Sequence, residues 1–355
     1  MTLRPIKIIL TACGCPGAST LIRMLKQNGE RELEIIGTDM SLEAVGRYLC
    51  DGFYKVPSGT SPEYIPAMMD IVEKEKPDIL FPESSNEVLS LARSKKEFEG
   101  IGTRVVVSSP ETIELANNKY LMYEAIRKSS EIDLPLYHSA SNLDEFLGAA
   151  NKLGYPNSPI VFKPHFGKGS RGVRIIDPKA NRMHQLMEEK PTNKFMSLDE
   201  FTEIFQGLED EEFPDFLVME YLEGMEKTAD TIAMDGRELL TTVKTVERAR
   251  WGVIVEGELV RDDGLVNQSR EILRSIPLSY CVNIQFKSDK LIEINPRVST
   301  FIYQDVLIAP YLAVKLALGE IAEEDVKAYR SKIDYGRRMI RYMDQMFHKK
   351  EERVL

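Results

Sequence analysis

The chain opens by alternating short β-branched runs with stretches of helical spacing. Ile6–Leu10 is an apolar run, residues 11–17 form a turn of small side chains, and residues 19–28 carry Leu21, Ile22, Met24 and Leu25 on one helical side. Segments 34–38, 78–81 and 104–107 repeat the strand pattern. This βαβα order predicts a parallel sheet covered by helices.

Beyond Ser109-Pro110 the rhythm changes. Residues 112–130 read as a helix pair containing Asn118-Lys119, and 144–153 as an amphipathic helix closed by Gly154. Strand patterns at 159–164 and 173–176 enclose a glycine-rich loop. Residues 178–215 are polar and acidic and predict an exposed helical insertion. Residues 216–221 form a strand, and Gly236 marks a hairpin turn between two more. The end, 327–349, reads as a basic amphipathic helix with Ile333, Met339, Ile340, Met343 and Phe347, a tail docked on the body.

Three segments carry chemistry. In Asn283-Ile-Gln285-Phe286 and Leu291-Ile-Glu293-Ile-Asn295-Pro296-Arg297, two strands and a tight turn bring Gln285, Glu293 and Asn295 together. Alternate residues of a strand share a face, so Glu293 and Asn295 point the same way, with Ile292 and Ile294 on the other. One carboxylate with neutral oxygen donors suits a hard cation such as Mg²⁺ bridging phosphates, with Mn²⁺ as an alternative. Arg297 follows, where a guanidinium can hold a phosphate or carboxylate. In Val161-Phe-Lys163-Pro164-His165-Phe-Gly167-Lys168-Gly169-Ser170-Arg171-Gly172, a lysine inside an apolar strand must find an anion. Its three glycines let main-chain N–H groups approach a polyanion. It is neither a Walker loop nor a kinase loop. In Glu220-Tyr221-Leu222-Glu223-Gly224-Met-Glu226, followed by Asp230, a strand end offers a carboxylate and main-chain groups to a purine edge, and Glu226 to ribose hydroxyls.

In this order and spacing the three segments resemble the ATP-grasp superfamily, with a likeness to one synthetase unit of the carbamoyl-phosphate synthase large subunit over roughly residues 5–320. The resemblance implies an α/β and α+β chain: an ATP-grasp fold behind an N-terminal Rossmann-like pre-ATP-grasp domain. It divides the chain into that domain (1–110), an ATP-grasp region with a small lid from about 120 (111–222), a C-terminal subdomain bearing the metal site (223–330) and a tail (331–355). It further implies Lys119 and Lys163 as phosphate-binding lysines and Gly167, Lys168, Gly169, Ser170, Arg171 and Gly172 as the lid loop. Glu220, Tyr221 and Leu222 would read the purine, Glu226 the ribose, and Gln285, Glu293 and Asn295 the magnesium. Arg297 and Lys244 would act catalytically, toward the transferred phosphoryl group and the γ-phosphate. The reaction implied is an ADP-forming carboxylate–amine ligation with ATP and Mg²⁺. A complete carbamoyl-phosphate synthase has two such units and this chain has one, so its full reaction is not expected. A non-catalytic nucleotide sensor and bicarbonate activation stay open as alternatives.

Composition narrows the partners. A formal charge of −10 argues against a general nucleic-acid surface, and the longest apolar stretch, 306–318, contains Pro310 and Lys315 and is too short to span a bilayer. Small-molecule substrates are therefore expected, with a homodimer left open. The first residues run into a strand without a signal-peptide layout, so the cytoplasm is the expected location. Cys13, Cys15, Cys50 and Cys281 are few and irregularly spaced, predicting no disulfide framework. The turn containing Gly14 and Gly17, with Asp39 beyond the second strand, lacks the full dinucleotide fingerprint, so a nucleotide-free Rossmann-like domain is expected there.

Overall fold

A computed structural model describes residues 3–167, 172–189, 194–250, 252–300 and 308–348. Residues 6–105 form a parallel five-stranded sheet from β1 (Ile6–Leu10), β2 (Leu33–Asp39), β3 (Gly52–Lys55), β4 (Ile79–Phe81) and β5 (Arg104–Val105). Its order, β3-β2-β1-β4-β5, reverses between β1 and β4. The covering helices are α1 (Ala18–Lys26), α2 (Tyr64–Glu75), α3 (Val88–Arg93) and α4 (Lys95–Gly100). Ile6, Ile8, Ile9 and Leu10 are all buried, as a strand covered on both faces requires. The turn after β1 is braced internally: the Gly14 N–H donates to Asp39 Oδ2 at 2.7 Å, so the carboxylate in the ribose-reading position is engaged by the main chain. A cavity of about 300 Å³ opens at the carboxyl ends of these strands, lined by Gly14, Asp39, Ser58, Tyr64, Asn86 and Glu87 among others.

Two linked helices follow, α5 (Pro110–Asn117) and α6 (Lys119–Ser129). Asn118 joins them, and its side chain caps α6 by accepting from the Leu121 N–H at 3.0 Å. A second five-stranded sheet has the order β6-β10-β7-β8-β9, from β6 (Tyr137–Ala140), β7 (Ile160–Pro164), β8 (Arg174–Ile176), β9 (Phe195–Met196) and β10 (Phe216–Glu220). It carries α7 (Leu143–Lys152), α8 (Arg182–Glu188) and α9 (Leu198–Phe205). The expected exposed insertion is only half exposed. Residues of α8 face solvent, but Met196 in β9 extends the sheet, and Phe201 in α9 is buried with its ring 3.8 Å from that of Phe146. Phe162, Phe205, Phe213 and Phe216 complete an aromatic core that the acidic composition of the segment masks.

The third sheet is antiparallel: β11 (Glu226–Met234), β12 (Arg237–Val246), β13 (Arg248–Arg250), β14 (Val253–Val260), β15 (Tyr280–Lys287) and β16 (Lys290–Asn295), in the order β13-β14-β12-β11-β15-β16. Helix α10 (Asp263–Ser275) precedes β15, while α11 (Ala309–Ala317) and α12 (Glu323–Ala328) follow β16. The hairpin turn at Gly236 is present, with φ +79°. The tail corrects the sequence reading. It is not a helix: Gly336 takes φ +83°, and β17 (Arg338–Ile340) then pairs antiparallel with the open side of β14. The apolar residues spaced for a helical stripe divide: Ile333 packs against the core, while Ile340, Met343 and Phe347 are exposed, Phe347 by 92%. An edge strand with unpaired main-chain groups outcompeted a helix lacking a surface to bury on. The tail is nonetheless docked, because Arg341 donates to the carbonyls of Pro16, Ile254 and Thr300. Among the described residues no helix is long and apolar enough to cross a membrane.

Candidate functional site

The hairpin β15–β16 is turned by Ser288 and Asp289, both with positive φ, the geometry of a tight two-residue hairpin loop. Near the turn Phe286 pairs with Leu291, but beyond it Gln285 pairs with Glu293, Ile284 with Ile294 and Asn283 with Asn295. Ile292 is therefore an extra residue, a β-bulge. The bulge lets Leu291 and Ile294 both enter the core while Glu293 and Asn295 face away. The expected alternation of Ile292 with Ile294 holds for Ile294 only, since Ile292 is half-buried.

The bulge also frees an acceptor. The Ile292 carbonyl receives Lys163 Nζ at 2.8 Å, and Tyr123 Oη sits between that carbonyl, at 3.0 Å, and the Leu291 carbonyl, at 2.8 Å. Lys163 arrives from β7 and Tyr123 from α6, so strand, helix and hairpin meet at the bulge. Lys119, the first residue of α6, donates to the Gly167 carbonyl at 2.8 Å and lies 3.3 Å from Glu293 Oε1. Both lysines are buried. Burial, reinforced by neighbouring Lys119 and opposed by Glu293, pushes the Lys163 ammonium down to about 7. Two buried lysines beside one carboxylate make a site able to take up negative charge, which is where a polyphosphate would be held.

Across the sheet runs a polar layer. Lys244 on β12 pairs in register with Thr228 on β11, and Thr228 with Gln285 on β15; Asp230 sits opposite Asn283, and Asn283 opposite Asn295. The Lys244 ammonium contacts Asp230 Oδ2 in a fully buried ion pair. Gln285 and Asn295 each donate an amide N–H to Asn283 Oδ1 at 3.3 Å. Gln285, Glu293 and Asn295 are thus gathered as the sequence suggested, whereas Lys244 is turned into the sheet toward Asp230.

The remaining residues surround this centre. The Arg297 Nε donates to Ser85 Oγ at 2.8 Å and its Nη1 to the Val298 carbonyl at 2.7 Å, tying the segment after β16 to the loop after β4. Glu220 Oε1 accepts from the Leu136 N–H at 2.9 Å and from Lys290 Nζ at 2.8 Å, so this carboxylate is already engaged. Tyr221 and Leu222 lie half-buried in the link to β11, with Lys287 Nζ 5.1 Å from the Tyr221 ring centre. Burial raises the Glu226 carboxyl against the pull of Lys287 and Lys194. Gly172 has φ +74°, and a Cβ there would meet Pro164 Cγ at 2.7 Å, so only glycine fits. Lys168, Gly169, Ser170 and Arg171 lie outside the described residues. Sequence reasoning passed over Tyr123, an ordinary helix aromatic until the bulge brings Ile292 to it. It also gave no role to Asn283, although the residue stood inside the motif.

Two family models match separate parts of the chain: residues 8–106 match the PylC-like N-terminal domain, and residues 212–338 match an ATP-grasp domain described from a biosynthetic pathway with a Ter operon. The carbamoyl phosphate synthase large chain of Methanothermobacter thermautotrophicus is 27% identical over 290 residues, covering 75% of this chain and 26% of that one. The chain thus spans about a quarter of the length of this relative. Among solved structures, N5-carboxyaminoimidazole synthetase from Staphylococcus aureus, complexed with ADP, aligns with TM-score 0.59 and 14% identity over 93% of this chain and 78% of that chain. The biotin carboxylase domain of the Hydrogenobacter thermophilus 2-oxoglutarate carboxylase, a dimer complexed with MgADP, ADP and bicarbonate, aligns with TM-score 0.60 and 17% identity over 90% and 71%. The chain is an ATP-grasp superfamily protein. Its N-terminal domain is PylC-like, and it is distantly related to the carbamoyl-phosphate synthase large chain.

Proposed function

We propose that the chain is an ADP-forming ligase that phosphorylates a small carboxylate from Mg-ATP and passes the acyl group to an amine. The observation that carries this reading is the convergence of Lys119 and Lys163 on the Glu293–Ile292 bulge, with Arg297 leading from it to the loop after β4. The residues fit the groups implied. Among the described residues no cluster of three or more His, Cys, Asp or Glu could cage a metal alone. One carboxylate with two amide oxygens instead suits an Mg²⁺ that keeps phosphate oxygens in its own shell. Gln285, Glu293 and Asn295 would hold that ion, which neutralises phosphate charge when bound.

The lysines would bind the outer phosphates. Gly167 and Gly172 bound the loop proposed to cover them, with Lys168, Gly169, Ser170 and Arg171 between. Tyr221 and Leu222 would offer main-chain groups to the purine and Glu226 would accept from the ribose. Glu220, braced by Lys290, would shape the purine side. Arg297 would orient the acceptor carboxylate for in-line attack at the γ-phosphorus, a task of positioning and charge stabilisation. The cavity beside Asn86 and Glu87 lies at the sheet's switch point, where ligands of such folds bind, and would receive the acceptor.

A panel of carboxylates and amines tests the chemistry: ADP should form, and hydroxylamine should trap a hydroxamate from the acylphosphate. Stoichiometric AMP with pyrophosphate would show attack at the α-phosphorus instead. In thermal-shift titration Mg-ATP should stabilise the protein by about 2.7 kcal/mol at a hundredfold excess over Kd. NAD should produce no comparable shift, since the turn after β1 lacks the full dinucleotide fingerprint.

A further inference from the structure

The amides at the proposed metal site have a fixed polarity, and its origin lies two strands away. Asn283 makes four hydrogen bonds, the full capacity of its side chain. Its Nδ2 donates to Asp230 Oδ1 at 2.9 Å and to Thr228 Oγ1, and its Oδ1 accepts from Gln285 Nε2 and Asn295 Nδ2, each at 3.3 Å. An ionised carboxylate can only accept. Asp230, held against Lys244, therefore dictates which end of the Asn283 amide faces it. The other end must be the oxygen, so Gln285 and Asn295 must turn their NH₂ groups inward. Their oxygens are left on the side of Glu293, which pairs with Gln285 across the hairpin.

We infer that the buried Asp230–Lys244 pair is a positioning device: through Asn283 it sets the amides of Gln285 and Asn295 with their oxygens toward the cation. Reversal of Asn283 would present NH₂ groups to a metal, a repulsive arrangement. Lys244, which the family resemblance directed at the γ-phosphate, acts here through Asp230. The inference rests on the metal reading of Gln285, Glu293 and Asn295.

The test compares the unmodified chain with the shape-matched neutral pair Asp230→Asn/Lys244→Met. Free Mn²⁺ is followed by electron paramagnetic resonance with a nonhydrolysable ATP analogue present, and metal-free binding of the analogue is measured calorimetrically in EDTA. Loss of a partner that orients a metal ligand weakens the metal by about 10–100-fold. That loss is expected here, with metal-free nucleotide affinity and circular dichroism unchanged. Equal Mn²⁺ affinity in both proteins would overturn the inference and leave the metal site standing. A fall in metal-free nucleotide affinity would overturn it in favour of a phosphate-binding Lys244. Absence of Mn²⁺ binding by the unmodified chain would remove the metal site and the inference together. Should the neutral pair fail to fold, Asn283→Leu, which removes the relay and keeps the volume, is judged by the same readouts.

Discussion

Glu293→Gln is expected to cut turnover by at least about a hundredfold, because loss of an outer-shell partner alone costs up to that much metal affinity and Glu293 is a direct ligand in the proposed site. Among the three proposed ligands it is the one formal negative charge, opposite Gln285, on the same strand as Asn295 and 3.3 Å from Lys119. The glutamine keeps the volume and the cross-strand pairing with Gln285, so the hairpin should form as before. Lys119 loses its carboxylate but keeps the Gly167 carbonyl, which limits the cost to the fold. Turnover and circular dichroism measured on one sample decide the matter. Near-parent turnover in a folded variant would exclude Glu293 from the chemistry.

Lys163→Met should weaken ATP binding while stabilising the free protein. A hydrogen bond to a charged group contributes about 1.5–3 kcal/mol, so its loss corresponds to roughly 10- to 150-fold in affinity. The stability change has the opposite sign, because the lysine is charged at the expense of burial. Its folded value of about 7 lies below that of a free lysine. Between these values the unfolded chain holds more protons than the folded one, so Lys163 makes stability rise with pH through that window. Below about pH 7 its full cost is present, and there the methionine variant should gain most over the parent. Phosphate oxygens reverse the balance by favouring the charged form. Binding at a pH between the two values should therefore draw a proton from solution. Calorimetry in buffers of different ionisation enthalpy measures this directly; binding without proton uptake would mean that the phosphates do not reach Lys163.

The regular parts of the fold were legible in the sequence. Ile6–Leu10 has the bounds the sequence predicts, because a β-branched run between turn residues has one good solution; the helix pair expected over 112–130 is present but starts at Pro110, after the Ser109 cap. β3 escaped notice, since Gly-Phe-Tyr-Lys is too short to show alternation. The tail was misread because its helical spacing is real but the edge of β14 offered main-chain partners no local pattern reveals. At the candidate site, the motif predicts Gln285, Glu293 and Asn295 on one hairpin, where the register places them. It could not show the Ile292 bulge, which depends on the partner strand, nor the turn of Lys244 toward Asp230, which depends on two neighbouring strands.

Ile292 gives the molecule a vulnerability of an unusual kind. A hairpin relieved of its surplus residue would be the more regular object, with an unbroken ladder from the turn to Asn295. In that tidier hairpin Leu291 and Glu293 would be neighbours on opposite faces, so leucine would stay in the core and the carboxylate outside it. Lys163 would nevertheless lose the carbonyl on which it rests, while Tyr123 would keep that of Leu291. Any programme of idealising this sequence for robustness would be drawn to that irregularity first, and would leave a buried lysine without its acceptor.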